Sequence, residues 1–217
     1  MSTDPRERQV RRLFFAASVL IIIVLVTVAA GAWYLLAARA PRTQLESDLV
    51  AARAAVQSKP QDPIAHEDMS FVYVRMGRQS SAIDEMKTAV KLAPDNPRIR
   101  TNLALLYGRY EMHEEAIAAA KDAIKLYDRA APAYFVLGKS YEALGNLTEA
   151  RKALERAVEL ESADADSRFA LGQVLLDLGK TKEAAEQFKI VKSQVAEYPG
   201  IDEALAKAGV EAADTAK

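Results

Sequence analysis

The chain has 217 residues, a formal net charge of −1 from 29 basic and 30 acidic residues, and no cysteine. That length admits one membrane segment and one domain of about 170 residues with a real core. Without thiols there are no disulfides, thiolate zinc sites or cysteine nucleophiles, and the mildly acidic balance beyond residue 42, lacking a basic stripe, argues against nucleic acid as a partner.

Residues 1–12 read as a cytoplasmic N-terminal segment. Leu13 to Ala38 then forms an uncharged apolar run, longer than the ~20 residues a spanning helix needs. Trp33 and Tyr34 stand where an interfacial aromatic belt would lie. Arg6, Arg8, Arg11 and Arg12 precede the run, whereas Arg39 and Arg42 follow it, so the positive-inside rule leaves the N-terminus in the cytoplasm. A cleaved signal peptide is the competing reading, since Ala38-Arg39-Ala40 resembles a cleavage site and Arg11-Arg12-Leu13-Phe14-Phe15 resembles a twin-arginine signal. The run exceeds the usual ~7–15 residues and Pro41 would follow the cut, which favours an uncleaved anchor in the lipid bilayer through residues 13–38.

Residues 39–62 read as a linker and an N-terminal capping helix, with Ala52, Ala55 and Val56 on one face and Pro60 ending it. Beyond them the chain repeats every 34 residues, in windows 63–96, 97–130, 131–164 and 165–198. Ala82, Ala116, Ala150 and Ala184 hold this interval. So do Tyr73, Tyr107 and Tyr141, with Leu175 in the fourth place, and Ala89, Ala123 and Ala157, with Val191. A period of this length marks stacked helical hairpins, none able to bury its own apolar face.

In each window the first helix carries Met69, Leu103, Leu137 or Leu171, followed by the small residues Ser70, Ala104, Gly138 and Gly172. The interhelix turn falls at Gly77, Gly145 and Gly179, where a positive φ is easily adopted, and Glu111 in the second window predicts a turn of different geometry. The alanine row at 82, 116, 150 and 184 must be small because two helices cross there. Met86, Ala120, Leu154 and Phe188 vary in size and are expected to fill gaps between repeats. Ile201, Ala204, Leu205 and Ala208 give an apolar stripe suited to a C-terminal capping helix within 199–217, and Glu211 to Lys217 read as a frayed end.

This pattern resembles the tetratricopeptide repeat (TPR) family: a small residue at position eight, Tyr at eleven, Ala at twenty and twenty-seven, and often Pro at thirty-two. Tyr134-Phe135-Val136-Leu137-Gly138-Lys139-Ser140-Tyr141 matches that signature nearly in full. The resemblance implies an all-α fold, a right-handed α-solenoid of helix hairpins, here preceded by one transmembrane helix. It also implies that the first helices line a concave face. Position five then contributes Glu67, Thr101, Phe135 and Phe169, and position nine Phe71, Leu105, Lys139 and Gln173. Position twelve contributes Val74, Gly108, Glu142 and Leu176, and position thirteen Arg75, Arg109, Ala143 and Asp177.

The family's best-known binding mode grips a C-terminal carboxylate with Lys, Asn and Arg. Asn102 and Lys139 stand at two of those places, but Glu67, Phe71 and Phe135 stand at three others and none donates to a carboxylate, so this mode is rejected. What remains is a stripe of Phe71, Val74, Leu105, Phe135, Phe169 and Leu176 among Asn102, Arg109, Lys139 and Gln173. It reads as a protein- or peptide-binding surface for an amphipathic helix or an extended apolar segment, unless these side chains pack between repeats or lie under a terminal helix.

Neither histidine signals catalysis. His66 holds position four, and His113 follows the second turn as a solvated residue beside Glu111, Glu114 and Glu115, charges that serve the helix dipole. No nucleophile set, phosphate loop or paired carboxylates stand out, so no enzyme, cofactor, metal or small-molecule substrate is expected. Asn146-Leu147-Thr148 spells a glycosylation sequon, but Thr148 reads better as a helix cap. The layout is similar to small N-anchored bacterial TPR proteins that work beside the export channel, and to the TPR domains that present apocytochromes. It implies a single-pass protein of the bacterial inner membrane with periplasmic repeats, a scaffold for extracytoplasmic assembly or folding. The alternative is a permanent structural subunit of a membrane complex, for which Ala29 to Ala32 would allow close helix approach.

If the alanine row is fixed by helix crossing, Ala150→Leu destabilises the fold by about 1–3 kcal/mol through overpacking. Chemical denaturation measures this directly, and an unchanged midpoint would mean that the helices cross elsewhere.

Overall fold

The structure, a computed structural model, describes residues 43–210 together with Leu25, Val26 and Val28. The predicted spanning helix at 13–38, the segment 1–12 and the tail 211–217 lie outside the described residues, apart from those three. Among the described residues no helix is long and apolar enough to cross a membrane. The chain divides into two compact units, residues 1–50 and 51–217.

Between residues 43 and 210 the chain forms ten helices and no strand. They are α1 (Gln44–Ser58), α2 (Pro63–Arg75), α3 (Gln79–Leu92), α4 (Pro97–Arg109), α5 (His113–Leu126), α6 (Ala131–Ala143), α7 (Leu147–Leu160), α8 (Ala165–Asp177), α9 (Thr181–Gln194) and α10 (Ile201–Lys207). In α1, Ala52 is buried and Ala55 and Val56 are half-buried, so the predicted stripe is the less exposed side of that helix. Helices α2 to α9 pair as four hairpins within the predicted windows, each packing on the next, and the first helices α4, α6 and α8 also touch their neighbours of the same kind. This is an all-α TPR solenoid.

The hairpins are set by close helix crossing. All four residues of the alanine row are fully buried. Ser70 donates its hydroxyl to the Ala82 carbonyl at 2.7 Å. A Cβ built on Gly138 would lie 3.2 Å from the Ala150 carbonyl and 2.5 Å from Leu154, and one built on Gly172 would lie 2.4 Å from Phe188. Leu154 and Phe188 therefore fill space within their own hairpins, against the small residue at position eight. For these two residues that corrects the expectation of packing between repeats. The larger side chain fits because the facing residue has no side chain at all.

The turns follow one hydrogen-bond pattern. Gly77, Gly145 and Gly179 have φ of 69°, 75° and 74°. The amide after each donates back to Tyr73, Tyr141 or Leu175 at 2.8–2.9 Å. Glu111, expected to differ, has φ 58°, and Met112 likewise donates to Tyr107 at 3.0 Å. The pairing of the last carbonyls of the first helix dictates the left-handed residue, and a glutamate complies at a cost in strain. Thr148 does not cap a helix. The same bonding makes Asn146 the residue before α7, without a side-chain cap, and places Thr148 inside the first turn.

The linkers between hairpins repeat as well. Asp62, Asn96 and Asp164, two of them 34 residues apart and the third at twice that interval, cap α2, α4 and α8 by accepting backbone amides. The residue at position four anchors the preceding linker: His66 Nε2 lies 3.1 Å from the Pro60 carbonyl, while Arg100 and Arg168 donate to the carbonyls of Pro94 and Ser162 at 2.9 Å. His66 Nδ1 also lies 2.7 Å from Glu85. This histidine is a framework residue.

The two larger clusters of the core are drawn from α3 to α7 and from α7 to α10, and Phe135 and Tyr141 pack against both. At the C-terminal end Ile201, Ala204 and Leu205 are buried and α10 packs on α8 and α9, as a cap must. Phe169 belongs to this cap: its ring centroid lies 5.4 Å from Phe188 and 4.8 Å from Tyr198. The Tyr198 hydroxyl donates to Asp166 at 2.6 Å. Burial, then this bond, pushes the phenol above its ordinary pKa.

Two substitutions test this packing. Glu111→Gly should raise stability by about 0.5–1 kcal/mol, because a left-handed residue with a Cβ costs about 1–2 kcal/mol and glycine's freedom in the unfolded chain offsets ~0.5–1 of the gain. Urea titration reads the difference, and a destabilised variant would show that the Glu111 side chain is needed. Phe169→Ala should destabilise by about 2–4 kcal/mol by opening a cavity in the cap. Leu105→Ala, at an exposed site, should change stability by no more than about 0.5 kcal/mol. Equal melting shifts for the two would place Phe169 at the surface instead.

Candidate partner-binding groove

Neighbouring first helices present the same face side by side. On α2, Phe71 and Val74 share it at i, i+3. On α4, Asn102, Leu105 and Arg109 follow at i, i+3 and i+7, and on α6 Phe135 and Lys139 at i, i+4. Together they line a groove of about 730 Å³. Its apolar surface is accessible: Phe71 is 44 % exposed and Leu105 39 %.

Seven residues singled out from the sequence thus meet in one groove: Phe71, Val74, Asn102, Leu105, Arg109, Phe135 and Lys139. Gln173 and Leu176 do not join them. They line a separate polar hollow of about 370 Å³ with Asp177 and with Glu203 and Lys207 of α10. Phe169 lies in neither, being packed into the C-terminal cap.

The groove also holds residues that sequence reasoning missed. Leu106, Val136 and Ser140 complete its floor. His113, expected to be solvated, is half-buried and lines the groove, and its Nδ1 is buried with no hydrogen-bond partner among the described residues. It reaches the groove because α5 starts directly after the tight turn at Glu111, so its first residue still faces the first helices. A hydrophobic-periodicity reading assigns that helix to the opposite layer and gives no signal for this.

Charges around the groove are largely paired. Lys139 Nζ lies 2.5 Å from Glu142. Glu67, only 2 % exposed, accepts both terminal nitrogens of Arg98 at 2.8 and 2.7 Å, and Asn102 Nδ2 at 2.6 Å. The Glu67 carboxylate, which the family resemblance put on the concave face, is therefore turned inward, and Asn102 is engaged with it. Among the described residues no group of three or more His, Cys, Asp or Glu is placed to hold a metal ion.

Comparisons with known proteins agree with this architecture. The tetratricopeptide repeat family model matches residues 72–134, 112–165 and 135–200, which together exceed half of the chain. No match is found among curated proteins. Among solved structures the chain is similar to TTC0263, a thermophilic TPR protein in Thermus thermophilus, with a TM-score of 0.63 and 24 % identity over 82 % of this chain and 93 % of that one. It is similar also to YrrB, a TPR protein with an unusual peptide-binding site, with a TM-score of 0.61 and 25 % identity over 73 % and 80 %. A third likeness is the first TPR of Spaghetti (RPAP3) bound to the HSP90 peptide SRMEEVD, with a TM-score of 0.53 and 28 % identity over 55 % and 94 %. Proteins of this kind are in general scaffolds that bind proteins or peptides. By its repeat period, its hairpin packing and the extent of the family match, this chain belongs to the tetratricopeptide repeat family.

Proposed function

We propose that this protein is a non-catalytic, membrane-anchored scaffold that holds an apolar segment of a partner polypeptide in the groove formed by α2, α4 and α6. The observation that carries this is the accessible apolar floor, with Phe71 and Leu105 exposed beside Phe135 in a concavity of about 730 Å³. A volume in that range accommodates several side chains, and a concave apolar floor with a few polar groups at its edge is the usual character of a ligand site. YrrB, with its peptide-binding site, and the Spaghetti repeat, with its bound peptide, support a polypeptide as the occupant.

The anchor is read from the sequence: the apolar run from Leu13 to Ala38 supports a spanning helix, the arginines before it support repeats on the extracytoplasmic side, and the likeness in layout to N-anchored bacterial TPR proteins supports a bacterial inner membrane. Tethering raises the effective concentration of the groove toward membrane-bound or emerging partners, which suits a role in their assembly or folding.

A photo-crosslinking residue at position 105 in the full chain, expressed in cells, tests the groove. Crosslinks to a polypeptide are expected there and not from position 152, on the exposed surface of α7. Phe71→Ala with Phe135→Ala should reduce them about tenfold or more, as loss of two anchoring side chains predicts. Equal crosslinking from both positions, or indifference to the double variant, would remove the groove from the mechanism. In the same cells, protease added to spheroplasts should digest the repeats, and full protection would reverse the topology.

A further inference from the structure

The arrangement around Glu67 is a carboxylate-binding site that the chain fills itself. An arginine fork meeting both oxygens of a carboxylate, with an amide donating to one of them, is a geometry suited to recognising that group. Here the fork is Arg98, at 2.7 and 2.8 Å, and the amide is Asn102, at 2.6 Å. The site adjoins the groove through Asn102, which lines it, and Phe71 follows Glu67 by one turn of α2; Glu67 and Arg98 themselves do not line the groove.

The repeat framework does not call for it. Where Glu67 stands, the other windows have Thr101, Phe135 and Phe169. Where Arg98 stands they have Ile64, Pro132 and Asp166, and in the place of Asn102 they have Asp68, Val136 and Ala170. The junctions between later repeats pack without such a set.

We propose that Arg98 and Asn102 form a carboxylate pocket at the edge of the groove and that Glu67 is its resident ligand. The groove therefore takes internal apolar segments and refuses a terminal carboxylate at this end. An arriving carboxylate meets donors already engaged and a like charge behind them. Lys139, on α6 and paired with Glu142 at 2.5 Å, is not part of this pocket. Arg98 itself is half-exposed, so solvent ions can reach the pocket once the Glu67 side chain is cut back.

The pocket is tested apart from the groove. In Glu67→Ala, formate at a few hundred millimolar should raise the melting temperature well above its value in chloride at equal ionic strength, by filling the vacated pocket. The wild type and Glu67→Gln, in which the pocket stays filled, should show no such difference. A Glu67→Ala variant indifferent to formate, or unfolded in both salts, overturns the proposal, as does a formate response in Glu67→Gln equal to that of Glu67→Ala.

The second arm rests on the groove reading and uses the peptide SRMEEVD as free acid and as C-terminal amide. The wild type should not discriminate between them, and Glu67→Ala should prefer the acid by about tenfold, the scale of a charge-assisted hydrogen-bond pair. A wild type that prefers the acid overturns the proposal. Formate rescue without any peptide discrimination by Glu67→Ala would keep the pocket but remove it from partner selection. Failure of the crosslinking test would count against the groove and leave the formate result standing.

Discussion

Two helices cross closely, over a small residue, at the centre of each hairpin, and the rest of the molecule is arranged around that approach. The Ser70 hydroxyl reaches the Ala82 carbonyl at 2.7 Å, and no Cβ would fit at Gly138 without displacing Leu154. In two hairpins glycine at position eight leaves room for Leu154 or Phe188 in the facing row, while the windows with Ser70 and Ala104 carry Met86 and Ala120 there. All four residues of that row are fully buried. In a close-packed interior a side chain added at either glycine would displace its neighbour. A fixed crossing fixes the hairpin, and identical hairpins can stack at one spacing, which brings successive first helices side by side.

Most of that was legible in the sequence, because packing constraints act on side-chain size and a period of 34 exposes them directly. What the period could not convey is where the backbone decides. Glu111 departs from glycine in three other windows, yet its residue adopts the same left-handed turn, since the carbonyls of Tyr107 and Gly108 need the donors that this turn supplies. Thr148 has the chemistry of a cap, but the turn bond from Asn146 to Tyr141 starts the helix before it. The linker anchors were hidden for another reason. His66, Arg100 and Arg168 do one job with different side chains, so residue identity does not repeat although the hydrogen bond does.

The groove shows the same division. Helical spacing is enough to bring Phe71, Leu105, Phe135 and their neighbours onto one surface, because all lie on first helices at fixed positions. The register is also what misplaces Phe169. It occupies the same position as Phe135, but at that end of the array its ring packs on Phe188 and Tyr198 and against the C-terminal core cluster. A terminal cap is a departure from periodicity, and the periodic pattern carries no record of what a cap will cover. His113 is the converse case, a second-helix residue brought to the groove by the turn before it.

These limits define the size of the segment the groove takes. Because the cap closes the surface beyond α6, the groove spans three first helices. At interaxial distances of ~8–10 Å this gives a floor of roughly 20 Å. An extended segment covers that length with about six residues, and a helix with about thirteen. At one edge of the floor sits Glu67, a buried carboxylate whose ion pair with Arg98 is not needed for packing, since the same position in later windows holds Thr101, Phe135 and Phe169. Buried ion pairs seldom add stability over apolar residues of similar volume. Their effect is on what else binds nearby, and here the pairing engages the Arg98 fork and the Asn102 amide while leaving Phe71 and Leu105 open. The framework repeats and sets the spacing. The ionic contact at Glu67, which does not repeat, biases that surface toward apolar chain interiors over charged chain ends.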